Sequence, residues 1–213
     1  MTAGRVRVTV SGGFALVMAG LLFADSGGIL PWALLACALH EAGHACAIRL
    51  LGGRVAKLEL TAWGAAMVPF RLRLFSYREE LLIAMAGPAT SLTLAFLTSL
   101  WTRQWGGEGA SLLAGLHFMI GMFNLLPAYP MDGGRILESI LTPLLGPAGS
   151  ETLCALLARG IGLALMPVGM LAAVSSGGNV TLLAAAMWLL AGQRRGEVPQ
   201  MQKRRTGRGA NLS

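Results

Sequence analysis

Charged side chains are scarce in this chain of 213 residues, of which only 13% are Asp, Glu, Lys or Arg and 54% are hydrophobic. A soluble globular domain carries about 25% charged residues. The apolar surface of the chain therefore exceeds what one core of this size can bury. The composition argues against a soluble domain and predicts a chain that crosses a membrane several times.

Cysteine is also scarce, since Cys37, Cys46 and Cys154 are the only three. Their odd number and the lack of a C-x-x-C spacing argue against both a disulfide framework and a cysteine zinc site. We expect them to be small apolar residues that pack between helices. Cys37 lies three residues before a histidine of the motif described below, and we expect it to lie near that site without binding a metal.

Acidic residues are outnumbered by basic ones, 10 to 17, which gives a net charge of +7. A tail rich in basic residues can bind nucleic acid, but beside a membrane span it more often binds anionic lipid on the cytoplasmic side. We favour lipid and expect no nucleic-acid partner. We divide the chain into an intramembrane domain, 1–192, and a disordered basic cytoplasmic tail, 193–213. The basic residues of the tail are Arg194, Arg195, Lys203, Arg204, Arg205 and Arg208.

Apolar segments long enough to be membrane helices occur six times along the chain. Several are shorter than the ~20 residues of a perpendicular crossing, so we expect tilt or burial among neighbours. Arg5 and Arg7 precede the first segment, but no small-residue cleavage site follows it, which predicts a retained span. Basic residues fall in alternate connections, which predicts that both termini are cytoplasmic. The segments are residues 8–24, 29–51, 81–100, 110–126, 153–174 and 180–191.

The connection between the second and third segments, residues 53–77, alternates apolar residues with small or basic ones. This pattern predicts short strands with a bend at Gly64-Ala65-Ala66. Sheet edges are not tolerated in lipid, so the strands should lie at the cytoplasmic interface or against the bundle. The edge at Leu58 and Leu60 could bind an extended substrate by strand addition, or the hairpin could have no such role. The predicted fold class is an all-α membrane protein, a six-transmembrane-helix bundle with a short interfacial β-hairpin between spans two and three.

Histidine occurs only three times, and two copies lie in His40-Glu41-Ala42-Gly43-His44 within the second segment. On a helix His40 and His44 are one turn apart on the same face, so their imidazoles can bind one zinc ion. Glu41, about 100° round the helix, can act as a base towards water. A carboxylate and two imidazoles at bilayer depth cost on the order of a few kcal/mol, which indicates a functional site.

A catalytic zinc ion normally has three protein ligands, and Asp132 is the candidate for the third. Pro127 and Pro130 break the helix before it, and Gly133 and Gly134 allow a tight turn after it. The alternative is that Asp132 caps the following short helix. Because the sequence also carries the histidine pair, we favour the role of metal ligand.

Two further polar residues lie in the fourth segment. The amide of Asn124 could stabilise a developing oxyanion or hold the substrate backbone, or it could make an interhelical hydrogen bond. His117 lies seven residues earlier on the same helical face. His117 could line the site, but we expect a packing histidine whose hydrogen bonds are satisfied.

Together these motifs resemble the site-2 protease family of intramembrane zinc metalloproteases. The resemblance rests on the H-E-x-x-H motif, on residues 124–133, which fit N-x-x-P-x-x-x-x-D-G, and on Ala86-Gly87-Pro88 in the third segment. Many members have an asparagine after that third motif, where this chain has Ser91. The six-span layout is similar to the subgroup of stage IV sporulation protein FB, whose members often carry a nucleotide-sensing CBS domain that is missing from these 213 residues.

The resemblance implies a zinc metalloendopeptidase with one Zn²⁺ that cleaves a membrane-associated or transmembrane protein in regulated intramembrane proteolysis. Processing of a pro-sigma factor in sporulation is the activity implied by the subgroup. The implied partners are that substrate, the lipid bilayer and membrane regulatory proteins. The implied location is multi-pass in the cytoplasmic membrane, or in the outer forespore membrane if the host sporulates.

Two other classes of function stay open. A catalytically silent homologue could bind membrane partners through the same fold, although it would have no need of Glu41 as a base. A metal transporter could use the same ligands for transit, although polar positions would then be expected along several spans. The third, fifth and sixth segments contain few ionisable groups.

Overall fold

The computed structural model describes residues 6–61, 64–70, 75–175 and 181–192, so the predicted basic tail lies outside the described residues. The described chain is mostly helical with a small sheet, as the sequence predicts. In chain order its elements are β1 (Arg7–Val10), α1 (Gly12–Ala24), α2 (Leu30–Leu50), β2 (Arg54–Thr61), β3 (Gly64–Phe70), α3 (Tyr77–Trp105), α4 (Glu108–Asn124), α5 (Asp132–Ser175) and α6 (Thr181–Gly192).

Two of the described helices, α3 and α5, are long and apolar enough to cross a membrane. Helices α1, α4 and α6 have 13, 17 and 12 residues and fall short of the ~20 that a perpendicular crossing needs. Helix α2 has 21 residues, but these include the polar residues of the histidine motif. By length and composition the structure therefore supports two spans, and the six predicted crossings are not established.

Helix α5 consists of two helical segments that meet at Gly146, where φ is 72° and ψ is 169°. Pro143 and Pro147 flank this break. An unbroken helix of 44 residues would be about 66 Å long, roughly twice the hydrocarbon thickness of a bilayer. The break separates a first helix, which begins at Asp132, from the apolar segment that the sequence predicts over 153–174.

The predicted start of the first span is wrong. The sequence predicts one helix over residues 8–24, but Arg7–Val10 form a strand and the helix begins after Ser11. The Ser11 hydroxyl accepts a hydrogen bond of 3.1 Å from the backbone N–H of Phe14 and so caps α1. The β-branched residues of β1 are apolar enough to extend a hydropathy segment, although they favour strand.

The predicted two-stranded hairpin is a three-stranded sheet in the order β1-β2-β3. Strand β1 runs parallel to β2, and β3 runs antiparallel to it. Thr61 is paired with Gly64, so the predicted bend at residues 64–66 is instead the start of β3. Strand β1, the parallel partner of β2, is separated from it in the chain by α1 and α2. No local sequence pattern therefore indicates this pairing.

Because β2 lies between β1 and β3, the predicted free sheet edge at Leu58 and Leu60 is wrong. Leu58 is paired with Val8 on one side and Met67 on the other, and Leu60 is paired with Val10 and Ala65. Neither residue can therefore accept an added strand. Within the described residues the outer edges of this sheet belong to β1 and β3.

A hydrophobic cluster attaches the sheet to one end of the helix bundle. Ile48 of α2, Ile83 of α3 and Phe75, which precedes α3, are buried together, and Val55 of β2 packs against them. Ser76 and Glu79 form a capping box that starts α3 beside this cluster. The sheet therefore lies where α2 ends and α3 begins, one helical turn beyond His44.

Candidate metal centre

The two histidines of α2 face the interior, as the helical spacing predicts. His40 and His44 are 4% and 6% exposed, and their ring centroids lie 5.0 Å apart. Asp132, the first residue of α5, is 7% exposed and reaches both rings. The three side chains predicted to bind metal are therefore buried together. Among the described residues, they form a group whose candidate ligand atoms all lie within 4.8 Å of one another.

The spacing of three atoms fits a single metal ion. His40 Nε2 and His44 Nε2 lie 3.1 Å and 3.0 Å from the same carboxylate oxygen, Asp132 Oδ2. The two Nε2 atoms are 3.3 Å apart. Ligand atoms at 2.0–2.1 Å from a tetrahedral zinc ion are separated by about 3.3 Å. One Zn²⁺ could thus contact all three atoms and keep its fourth position open.

The hydrogen bond of His44 prepares its Nε2 as a ligand. Its Nδ1 lies 2.7 Å from the backbone carbonyl oxygen of Ile83, which can only accept, so Nδ1 carries the proton. In the neutral ring Nε2 then presents a lone pair towards Asp132 Oδ2, which is itself an acceptor. A cation between these atoms removes the repulsion, and such a carbonyl is a common outer partner of zinc-binding histidines.

Ser91 performs the same function for His40. Its hydroxyl is fully buried and lies 3.0 Å from His40 Nδ1. When it accepts from Nδ1, the Nε2 atom of His40 is free to bind metal. From the sequence, Ser91 was noted only because many family members have an asparagine there. Its position four residues after Gly87 places both residues on one face of α3, and this spacing could have indicated that Ser91 faces the site.

Gly87 explains why α3 can approach the histidines so closely. A Cβ atom there would lie 2.7 Å from His40 Nε2 and would overlap His44 Nε2. A side chain would therefore enter the space between the two ligand atoms. Gly87 is the central residue of the motif Ala86-Gly87-Pro88, and this contact gives that motif a physical role at the site.

The loop before α5 holds Asp132 in position. Neither Gly133 nor Gly134 has a positive φ, so the backbone conformation of the predicted tight turn does not explain why glycine occurs at these positions. Their hydrogens face the loop backbone instead: a Cβ at Gly133 would overlap the carbonyl oxygen of Leu125, and one at Gly134 would lie 2.8 Å from Tyr129 N. Asp132 also begins the helix, so it fits both the ligand and the helix-start predictions.

Two neighbours support the same loop. Arg135 Nη1 lies 3.5 Å from Asp132 Oδ1, the oxygen that does not face the histidines. The Tyr129 hydroxyl donates to Glu138 across the start of α5. The Arg135 contact holds Asp132 Oδ1 and leaves Oδ2 directed at the two Nε2 atoms.

The other predicted site residues are placed less directly. Glu41 is half-buried, follows His40 in the chain, and lies within electrostatic range of His40, His44 and Asp132. Asn124 ends α4, and its amide donates to the carbonyl oxygen of Ile120 at 2.9 Å, within its own helix. His117 is fully buried, but neither ring nitrogen has a hydrogen-bond partner among the described residues. This differs from the satisfied packing histidine that we expected.

Comparison with known proteins finds sequence similarity to metallopeptidases. A sequence model of Peptidase family M50 matches residues 108–168, which include Asn124 and Asp132. The zinc metalloprotease MJ0392 of Methanocaldococcus jannaschii is 27% identical over 190 residues, which are 84% of this chain and 53% of that protein. In sequence the chain is thus similar to Peptidase family M50 over part of its length and to a zinc metalloprotease over most of it.

The structural comparison extends this relationship to the fold. A solved site-2 protease from Methanocaldococcus jannaschii superposes with a TM-score of 0.70 at 24% identity and covers 91% of each chain. Rip3 of Mycobacterium tuberculosis is 33% identical over 138 residues, which are 61% of this chain and 34% of that protein. The chain thus spans about half or less of the length of MJ0392 and Rip3.

Proposed function

We propose that this chain is a zinc metalloendopeptidase that hydrolyses a peptide bond in a membrane-associated or transmembrane protein. The observation that supports this most directly is the geometry of His40, His44 and Asp132. The Nε2 atoms of two imidazoles and one buried carboxylate oxygen converge at the spacing of zinc ligands. The names of the relatives and the open fourth position favour hydrolysis over storage of the metal.

In this mechanism His40, His44 and Asp132 hold one zinc ion, and Glu41 transfers protons. Zinc, when bound, supplies the Lewis acidity that makes water nucleophilic near neutral pH and polarises the scissile carbonyl. Glu41 accepts a proton from the attacking water as the new C–O bond forms. Glu41 then gives that proton to the amine as the C–N bond breaks. The half-buried position of Glu41 beside His40 is compatible with both transfers.

Asn124 has a supporting role in the proposal. One of its two amide hydrogens is used by the carbonyl of Ile120, which fixes the orientation of the side chain. The second hydrogen and the amide oxygen can hold the substrate backbone or a developing oxyanion. This assignment rests on its place eight residues before Asp132 in the family motif.

We assign substrate binding to the outer edge of β3. A transmembrane substrate must unwind locally before cleavage, because its peptide groups are hydrogen-bonded within the helix. An added strand would satisfy the exposed backbone groups of the unwound segment. The sheet contacts the ends of α2 and α3, so its edge lies at the same end of the bundle as the metal centre.

The proposal places the chain in a membrane as a multi-pass protein with both termini in the cytoplasm. The two apolar helices α3 and α5 support a membrane location, and the distribution of basic residues supports the orientation. In a sporulating host, a pro-sigma factor in the outer forespore membrane is the substrate that the sequence resemblance favours. In other hosts, a protein of the cytoplasmic membrane takes that role.

The experiment is cleavage of a tagged membrane-spanning pro-sigma-like substrate by the wild type and by Glu41→Gln, with zinc content measured on both. We expect zinc in both proteins and product only from the wild type. Removal of zinc by a chelator should abolish cleavage, and added zinc should restore it. Zinc flux into sealed vesicles, without cleavage, would contradict the proposal and favour a transporter.

A further inference from the structure

His117 is the one buried histidine that the proposed mechanism leaves without a role. Its side chain is fully buried, yet both ring nitrogens lack hydrogen-bond partners among the described residues. Burial of an unpaired polar group costs about 1–3 kcal/mol, so such a group needs an explanation. An apolar side chain would fill the same space without that cost.

The packing of α2 and α4 places His117 at the level of the metal centre. A Cβ atom at Gly109 would lie 3.1 Å from the indole of Trp32, which sets the relative heights of these helices. Helix α3 follows α2 and precedes α4, and it runs antiparallel to both. Helices α2 and α4 therefore run in the same direction. His40 and His117 each lie eight residues after these contact positions, which places them at the same level along the two helices.

Helix α4 also contacts the serine that orients His40. A Cβ atom at Gly121, one turn after His117, would lie 3.3 Å from Ser91 Cβ. His117 and Gly121 share a helical face, so this face of α4 is directed at the α3 surface that carries Ser91. His40 and Ser91 are therefore in contact, and His117 lies one helical turn from the α4 residue that faces Ser91.

The hydroxyl of Ser91 has two possible arrangements with opposite consequences. If it accepts a proton from His40 Nδ1, Nε2 of His40 is free to bind metal. If it donates to Nδ1, the proton moves to Nε2 and the ring cannot bind. Among the hydrogen bonds of the described residues, His40 is the only partner of this hydroxyl. A separate acceptor for the Ser91 proton would therefore select the metal-binding form.

We propose that His117 is this acceptor and thereby a positioning residue for the metal centre. The Ser91 hydroxyl donates to one ring nitrogen of His117 through one buried water molecule, because no direct hydrogen bond joins the two side chains. The chain of hydrogen bonds then runs from His40 Nδ1–H to Ser91 and from Ser91 to His117. This proposal rests on the proposed function only in that His40 binds a metal.

The test measures zinc affinity by competition with a chelator, on the full chain in detergent. Loss of a partner outside the ligand shell typically weakens metal binding by about 10–100-fold. We expect losses in this range for Ser91→Ala and for His117→Phe. The double variant should bind no more weakly than Ser91→Ala alone, because both changes break the same chain. His117→Gln retains an acceptor and should recover most of the affinity.

Cobalt binding gives a second readout that a purely structural effect would not produce. The visible absorption bands of the Co²⁺-loaded chain report the ligand field, and we expect them to shift in His117→Phe and to return in His117→Gln. Ser150→Ala is the matched control, because Ser150 is another fully buried serine whose hydroxyl bonds to Thr142 instead. It should leave zinc affinity unchanged.

The outcomes separate this inference from the proposed function. Unchanged zinc affinity and unchanged cobalt bands in both His117 variants would overturn the role of His117, whatever the activity. A wild type that binds zinc but cleaves no substrate would overturn the protease proposal alone. If His117→Phe does not fold, His117→Gln is compared with the double variant that carries His117→Gln and Ser91→Ala. Equal zinc affinities of these two proteins would contradict the inference.

Discussion

At the residue scale, the metal centre depends on which nitrogen of each imidazole carries a proton. The sequence predicts His40, His44 and Asp132 because their side chains are uncommon in apolar segments. It cannot identify the carbonyl of Ile83, since every residue has one, and only packing decides which lies near His44 Nδ1. Ser91 was visible in the sequence, but its contact with His40 requires the packing of α2 against α3.

A substitution at Gly87 tests this arrangement. In Gly87→Ala the added methyl group would enter the space between the two Nε2 atoms, which must then separate. We expect a cost of about 1–3 kcal/mol, equivalent to a roughly 5- to 150-fold loss of zinc affinity. Zinc competition on the purified variant measures the effect.

Gly115→Ala is the control for this substitution. Gly115 is also a helical glycine, but a Cβ atom there meets nothing within 4 Å. Its variant should keep the zinc affinity of the wild type. Equal affinities for Gly87→Ala and Gly115→Ala would show that the zinc ligands do not adopt the described geometry.

At the scale of elements, local sequence patterns predicted the positions of helices better than the pairing of strands. The positions of α2, α4 and α6 lie within two residues of the predicted segments. Strand β1 was missed because its residues are apolar and adjoin a helix. Its partner β2 lies more than 40 residues away, and a long-range pairing leaves no local periodicity.

Backbone substitutions in β3 test the proposed substrate edge. Adjacent residues of an antiparallel edge strand direct their N–H groups alternately to the partner strand and outward. Of Ala65→Pro and Ala66→Pro, one therefore removes a bond to β2 and the other removes an outward donor. We expect the outward variant to fold normally and to cleave the substrate several-fold more slowly.

The paired variants control for each other. The variant that loses a bond to β2 should unfold at a lower temperature, which a thermal melt in detergent would detect. Cleavage of a short soluble peptide should be unaffected in the outward variant if the metal centre is intact. Normal cleavage of the membrane substrate by both variants would rule out strand addition along β3.

At the scale of the whole molecule, α3 and α5 are the two described helices long and apolar enough to cross a membrane, and the six predicted crossings are not established. Helices of 12–17 residues can still cross where neighbours bury their ends or the bilayer is thinned. The proposed topology places the sheet and the metal centre near the cytoplasmic side. Water could then reach the site without crossing the bilayer.

The topology can be measured with accessibility reporters. We expect reporters fused at the N-terminus and after residue 213 to be active only in the cytoplasm. A reporter inserted between Gly106 and Gly107, in the connection from α3 to α4, should be active on the opposite side. A cytoplasmic signal from that connection would show that α3 does not cross, and the proposed orientation would be wrong.

The sequence by itself determined the class of protein, the positions of most helices and the three candidate zinc ligands. These follow from composition, from helical spacing and from the scarcity of polar side chains in apolar segments. Only the tertiary structure decided the third strand, the free edge of the sheet, the break at Gly146 and the buried contacts of Ser91 and Gly87. Each of these depends on which distant residues come together, and that information is absent from any local pattern of the chain.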